Sequence, residues 1–114
     1  MELTSYEISK KLKDFKLHNS KFAYVKNFNE DKREIIFVDE FSTDKYYEEW
    51  VDAFDLNTII KNLPQSELKI IILDDERPKI ICCTINEKLY YLLSEPNETL
   101  VDLAARLFLT IKGE

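Results

Sequence analysis

Glycine is nearly missing from this sequence: Gly113 is the only one among 114 residues. Nucleotide-binding loops need several glycines, because their backbone must approach a phosphate group closely. Two apolar runs do end in acidic pairs, at residues 35–40 and 70–75, as magnesium-binding strands of nucleotide-hydrolysing enzymes do. Since the accompanying loop is missing, we interpret both runs as strands that end in turns.

Cysteine and histidine are also scarce, with Cys82, Cys83 and His18 as the only members of their types. Neighbouring residues of a strand point to opposite faces, so the two cysteines do not indicate a disulfide framework. They lack the spacing of a metal site, and the sequence places no base beside them for thiol catalysis. We therefore expect no catalytic residues, no metal site and no cofactor.

Long apolar runs and an excess of positive charge are missing too. No run approaches the roughly twenty apolar residues that cross a bilayer, and Met1–Thr4 does not resemble a signal peptide. We expect a cytoplasmic protein that does not bind membranes. The net charge of −6 also argues against nucleic acid as a partner, because phosphates attract basic surfaces.

What is present is the composition of one globular domain over residues 1–114, with 45% hydrophobic and 33% charged residues. We expect its core to form around a helix at residues 99–113. Thr99 is a suitable N-cap, and Asp102 completes a capping-box-like pair. Nearly the whole circumference from Leu100 to Ile111 is apolar, which predicts cover on most sides. Gly113 suits a left-handed residue after the helix.

A first helix is predicted over Ser5–Lys16. Thr4 and Glu7 form a capping box around its start, and Leu3 and Ile8 then take the positions of a hydrophobic staple. A shorter helix is predicted from Asp55, as its cap, to Leu63, where Pro64 ends it.

The remaining apolar runs predict strands. Residues 22–28 and 34–41 form a hairpin across a polar turn, and we interpret residues 39–55 as a loop with one helical turn near residues 46–51. Three further strands are predicted at residues 68–73, 79–85 and 89–93. The resulting order α-β-β-α-β-β-β-α predicts an α+β fold, with about five mostly antiparallel strands in one sheet and the helices on one face.

Three stretches of the sequence resemble small uncharacterised proteins of bacterial phages and mobile elements: residues 53–56 (Ala-Phe-Asp-Leu), the run from Ile59 to Pro64, and the run from Thr99 to Leu107. Those proteins carry a short helix ending in Leu-Pro, two or three strands, and a terminal helix that begins Thr-Leu-x-Asp. The resemblance implies the fold and a bacterial or phage origin, but no activity and no functional residues. This sequence departs from the pattern in two places. It has Leu103 where those proteins often have alanine, and it has a long acidic insertion at residues 39–52.

The acidic and aromatic stretch from Asp39 to Phe54 is the candidate binding region. Trp and Tyr dominate the energetics of protein interfaces, and spaced acids can imitate nucleic-acid phosphates. The predicted partner-binding residues are Tyr47, Glu48, Glu49, Trp50 and Asp52.

Three functional hypotheses follow. The first is a non-enzymatic protein-interaction domain of phage or prophage type, which could also self-associate through a strand edge as a homo-oligomer. The alternative is an acidic inhibitor, either a DNA mimic or a toxin-immunity protein, that binds a basic partner through residues 39–55. A hydrolase that uses Asp39, Asp74 or Cys83 is the least supported hypothesis.

Overall fold

The computed structural model describes residues 2–17, 20–63, 68–72 and 79–113. Short 3-10 turns at Lys13–Phe15 and Asp44–Tyr46 accompany nine longer elements in the described part of the chain. These are α1 (Tyr6–Leu12), β1 (Phe22–Lys26), β2 (Arg33–Phe37), β3 (Glu49–Ala53), α2 (Leu56–Asn62), β4 (Lys69–Ile72), β5 (Lys79–Ile85), β6 (Lys88–Leu93) and α3 (Leu100–Lys112).

The α+β class is confirmed, but the prediction of one sheet with about five strands is wrong. The six strands form two antiparallel three-stranded sheets, a first sheet in the order β2-β1-β3 and a second in the order β4-β5-β6. The order along the chain is α-β-β-β-α-β-β-β-α, because residues 49–53 form a strand where a loop was predicted. Trp50 and Asp52 alternate there with the buried Val51 and Ala53, and this period-two pattern is typical of a strand.

Helix α3 is the centre of the core, as its apolar sequence predicts. It packs against α1, α2, β5 and β6. Thr99 is its N-cap, with the hydroxyl accepting a hydrogen bond from the Asp102 N–H at 3.2 Å. Six of its side chains are at most 2% exposed: Val101, Leu103, Ala104, Ala105, Leu107 and Phe108.

Two details at the ends of α3 differ from the prediction. The Asp102 carboxylate does not complete a capping box, because it accepts a hydrogen bond from the Ser5 N–H at 2.8 Å and thereby joins the starts of α3 and α1. Gly113 is not left-handed, since its φ is −78° and its N–H donates to the Leu109 carbonyl. The chain simply continues the right-handed turn at this point.

Helix α1 begins one residue later than predicted. Ser5 is the N-cap and accepts a hydrogen bond from the Ile8 N–H at 3.3 Å. Thr4 is buried, and its hydroxyl accepts from the Phe54 N–H at 3.1 Å and lies 2.7 Å from the Ser9 hydroxyl. With Ser5 as the N-cap, the two staple positions shift from Leu3 and Ile8 to Thr4 and Ser9, so a hydroxyl pair takes the place of the predicted apolar staple.

Of the other local predictions, two are confirmed and three fall outside the described residues. β1 and β2 form the predicted antiparallel hairpin, and Asp55 caps α2 by accepting from the Thr58 N–H at 2.8 Å. The predictions for His18, for Pro64 as the end of a helix and for a turn at Asp74 fall on residues outside the described ranges. Within the described ranges, no helix has the length and apolar composition needed to span a bilayer.

Candidate functional site

The five predicted partner-binding residues lie on β3 or immediately before it. β3 is an edge strand of the first sheet and pairs with β1. Successive side chains of a strand point to opposite faces. Glu49 is therefore on one face, and Trp50 and Asp52 are on the other. The structure does not bring the five residues together on one surface.

Glu49 is occupied by contacts within the molecule. Its carboxylate accepts hydrogen bonds from the Tyr6 hydroxyl at 2.7 Å and from Arg33 Nε at 2.9 Å. The Arg33 guanidinium also lies over the Tyr6 ring, 3.8 Å from its centroid. The Tyr6 hydrogen bond, followed by that from Arg33, lowers the pKa of Glu49. This carboxylate ties α1 to β2 and β3, so its charge is already compensated.

The other predicted residues also have internal partners. Glu48 lies 3.2 Å from the ammonium group of Lys26. The Trp50 indole donates to the Asp52 carboxylate at 2.9 Å, and its ring packs against Tyr47 at a centroid distance of 5.7 Å. A partner at β3 would have to compete with each of these contacts, which weakens the case for β3 as the binding surface.

Strand β2, at the opposite edge of the first sheet, is the more open surface. Among the described residues it pairs with β1 alone. Ile35 is 53% exposed and Phe37 is 63% exposed, while Ile36 between them is half-buried. Phe37 packs edge-on against Phe22 of β1 at a centroid distance of 5.6 Å. The sequence shows that these residues form a strand, but not that the strand lies at an edge.

The backbone of β2 determines which residues face the open edge. The Val38 N–H donates to the Lys21 carbonyl at 2.8 Å, on the side of β1. Hydrogen-bonded residues alternate along an antiparallel strand, so Ile36 also points its N–H and C=O toward β1. The same groups of Ile35 and Phe37 point away from it. The two residues with exposed apolar side chains are thus also the two with outward backbone groups.

Aromatic side chains are exposed in the turns on both sides of β2. Phe28 is 58% exposed before the strand, and Phe41 and Tyr46 are 81% and 73% exposed after it. One exposed apolar side chain is ordinary on a protein surface, whereas exposed apolar side chains grouped in a patch mark interaction sites. They extend the apolar character of β2 to the segments that enter and leave it.

The second sheet also has an exposed apolar face. Leu89, Tyr91 and Leu93 alternate along β6 and are each more than half exposed. The opposite face of this sheet packs on α3 through Ile81 and Cys83. Nothing in the described part of the chain shows what covers the outer face, so we do not assign a function to it.

Of the three side chains proposed for a hydrolase, Cys83 and Asp39 lie within the described residues and Asp74 does not. Cys83 is fully buried, and burial raises the pKa of its thiol, which disfavours the nucleophilic thiolate. Asp39 lies in an exposed turn, where its carboxylate accepts from the Phe41 N–H at 2.9 Å and the Ser42 hydroxyl at 3.0 Å. Across the described ranges, no three His, Cys, Asp or Glu side chains are grouped to hold a metal ion.

Two concave regions of the surface lie near α1. A cavity of about 80 Å³ lies between the end of α1 and β3, lined in part by Lys13, Lys16 and Trp50. Its volume is far below the roughly 300–1,000 Å³ of a typical small-molecule site. A larger hollow of about 410 Å³ between α1 and α3 is an open groove. Neither encloses a small ligand.

The chain matches no protein-family model, no curated protein and no solved structure. Its function is therefore inferred from the geometry of its own residues, among which the edge of β2 combines exposed apolar side chains with outward backbone groups.

Proposed function

We propose that the protein is a non-enzymatic protein-interaction domain that receives an extended segment of a partner along the outer edge of β2. The observation that carries this proposal is that Ile35 and Phe37 each combine an exposed apolar side chain with backbone groups that face the open edge. Both side chains are more than half exposed, and their backbone N–H and C=O groups point away from β1. A partner strand can therefore bond the backbone and contact apolar side chains at the same residues.

An exposed edge is a template for another strand, and natural proteins usually protect it with charge, proline or a bulge. β2 begins with the charged residues Arg33 and Glu34, but its last three residues, Ile-Ile-Phe at 35–37, have none of these protections. In β-strand addition, main-chain hydrogen bonds supply affinity, while alternate side chains supply specificity. β2 offers both kinds of contact.

The acidic inhibitor is the second candidate. The net charge of −6 and the exposed carboxylates of Glu48 and Asp52 support it. The ion pair of Glu48 with Lys26 and the two hydrogen bonds of Glu49 weaken it, because these charges are already compensated. The phage or mobile-element origin and the cytoplasmic location stay predictions.

The test of the proposal is a proline substitution that removes one outward N–H. A random-peptide library is selected on the immobilised protein, and the enriched peptides are titrated into the labelled protein while backbone amide chemical shifts are recorded. We expect shifts centred on residues 33–37. Ile35→Pro should weaken binding at least tenfold, because it removes one of the two N–H groups offered to the partner and breaks the run of backbone hydrogen bonds, while edge strands tolerate proline at such positions.

Two control variants separate binding from folding. Ile35→Thr changes the side chain but keeps the N–H, so we expect binding to fall less than with proline. Ile36→Pro removes an N–H that faces β1 and breaks a hydrogen bond of the sheet, so it should lower the free energy of unfolding by about 1–3 kcal/mol. Unchanged peptide binding by a folded Ile35→Pro variant, or shifts centred on β3 or β6, would refute the proposal.

A further inference from the structure

We infer that the segment received by β2 carries lysine or arginine on both sides of a short run of alternating apolar residues. This inference rests on the proposed function and adds the chemistry of the partner. It follows from the charges that surround the edge. Residues 29–46, which include β2 and both flanking turns, contain six acidic and three basic side chains.

The acids lie before, at the start of and after β2, and the apolar run of its last three residues carries no charge. All six are exposed: Glu30, Asp31, Glu34, Asp39, Glu40 and Asp44. Glu30 and Asp39 accept hydrogen bonds from neutral groups within the protein, so their charges are not compensated by a cation as that of Glu49 is.

The three bases do not compensate these acids evenly. The Arg33 guanidinium is held by Glu49 at 2.9 Å and by the face of the Tyr6 ring. Lys32 and Lys45 are exposed and lie one at each end of the segment. On each side of the apolar run, the acidic side chains therefore outnumber the exposed lysines. A partner strand with basic residues at its ends gains electrostatic attraction at both of them.

The length of β2 fixes the spacing that a partner needs. Five residues at about 3.4 Å each span about 17 Å, so the basic groups of a matching segment lie about five residues apart. Because acids flank both ends, either direction of the partner strand places positive charge beside negative charge. Charge therefore selects the composition of the segment and not its direction.

The test uses three synthetic nine-residue peptides with blocked ends. Each has a centre of alternating valine and threonine, and the two residues at either end are lysine, serine or glutamate. Dissociation constants come from the amide chemical shifts of residues 33–37 at low salt. We expect the lysine peptide to bind at least tenfold more tightly than the glutamate peptide, with the serine peptide between them. Raising the salt to 0.3 M should remove most of this difference, because exposed charges are screened.

A matched pair of variants locates the attraction on the protein. Glu40→Lys reverses one exposed charge beside β2 and should weaken binding of the lysine peptide about threefold or more. Glu87→Lys makes the same change in the exposed turn between β5 and β6 and should leave binding unchanged.

The outcomes separate this inference from the proposed function. Equal binding of the lysine and serine peptides at residues 33–37, or equal effects of the two variants, would overturn the inference while strand addition stands. If none of the three peptides shifts these amides, both proposals fail.

Discussion

Single residues in this protein hold backbone conformations that their side chains disfavour. Ile85 and Lys88 are partners in the register of β5 and β6, so Asn86 and Glu87 alone form the connecting turn. Their φ angles are 51° and 68°. Two-residue hairpin turns with two positive φ angles match the twist of the strands, and they favour asparagine followed by glycine. Asn86 fits this preference, whereas Glu87 does not.

We therefore expect Glu87→Gly to stabilise the protein by about 1 kcal/mol, because glycine adopts a positive φ without steric cost. Urea unfolding would measure the change. Glu87→Ala is the control, since it removes the same charge but keeps a Cβ atom. Equal stabilisation by both variants would show that the charge, and not the backbone, is responsible.

At the scale of elements, α3 makes the largest contribution to the core. Leu107 is fully buried on this helix, whereas Thr110 is exposed one turn later. We expect Leu107→Asp to prevent folding. It removes roughly 1.5–3 kcal/mol of apolar burial and places an unpaired carboxylate in the core at a cost of several kcal/mol more. The total is comparable with the whole stability of a small domain.

The matched control introduces the same residue on the same helix. Thr110→Asp should cost about 1 kcal/mol or less, from the charge near the helix C-terminus alone. Circular dichroism and thermal melting would compare the two variants. A soluble Leu107→Asp variant with a cooperative melt would contradict the central role of α3.

The ion pair between Glu98, just before α3, and Arg106, within α3, predicts a dependence of stability on pH. The Glu98 carboxylate receives two bonds from the Arg106 guanidinium, at 2.6 and 2.7 Å, and its side chain is 10% exposed. Burial alone would raise the pKa of Glu98, but hydrogen bonds from Arg106 and the Glu95 N–H lower it below its ordinary value of 4.5. A lowered carboxyl pKa stabilises the fold above pH 4.5, and this contribution is lost as the pH falls through the folded-state pKa.

We expect Glu98→Gln to lower the free energy of unfolding by about 1–3 kcal/mol at pH 7. The difference from the wild type should shrink steadily below pH 4.5. Glu95→Gln removes the same charge from an exposed neighbour and should change stability by about 0.5 kcal/mol or less. Urea unfolding at a series of pH values measures both. A difference that stays constant from pH 7 to pH 3 would show that the Glu98 charge is not involved.

At the scale of the whole molecule, the two sheets are joined through the helices. α3 packs on β5 and β6 of the second sheet and on α1, which in turn packs on β3 of the first. Hydrogen bonds strengthen this junction: the Tyr24 hydroxyl donates to the Thr4 carbonyl at 2.7 Å, and Asp102 holds the Ser5 N–H. The first sheet is thus anchored to the same helices that cover the second.

We therefore expect both sheets to unfold in one transition. Fluorescence of Trp50, the only tryptophan, reports on the first sheet, and hydrogen exchange of the Ile81 and Cys83 amides reports on the second. The free energies of unfolding from urea-dependent fluorescence and from exchange should agree within about 1 kcal/mol. Trp50 fluorescence that changes at clearly lower urea would show that the first sheet opens separately.

The sequence by itself determined the features that depend on neighbouring residues. The caps at Thr99 and Asp55 were predicted correctly because they require an oxygen beside the first turn of a helix. The burial of α3 was predicted because its apolar residues leave only a narrow polar stripe. The hairpin of β1 and β2 followed from two β-rich runs around a polar turn.

Only the tertiary structure decided which strands share a sheet, which strand lies at an edge and which charges are compensated. Glu49 stays a predicted partner-binding residue, and it bonds Tyr6 and Arg33, which are 43 and 16 residues away along the chain. Ile35 and Phe37 have the sequence of a buried strand, and it is their place at the edge of the first sheet that exposes them. Such pairings depend on contacts between distant segments, so the pattern within one segment does not contain them.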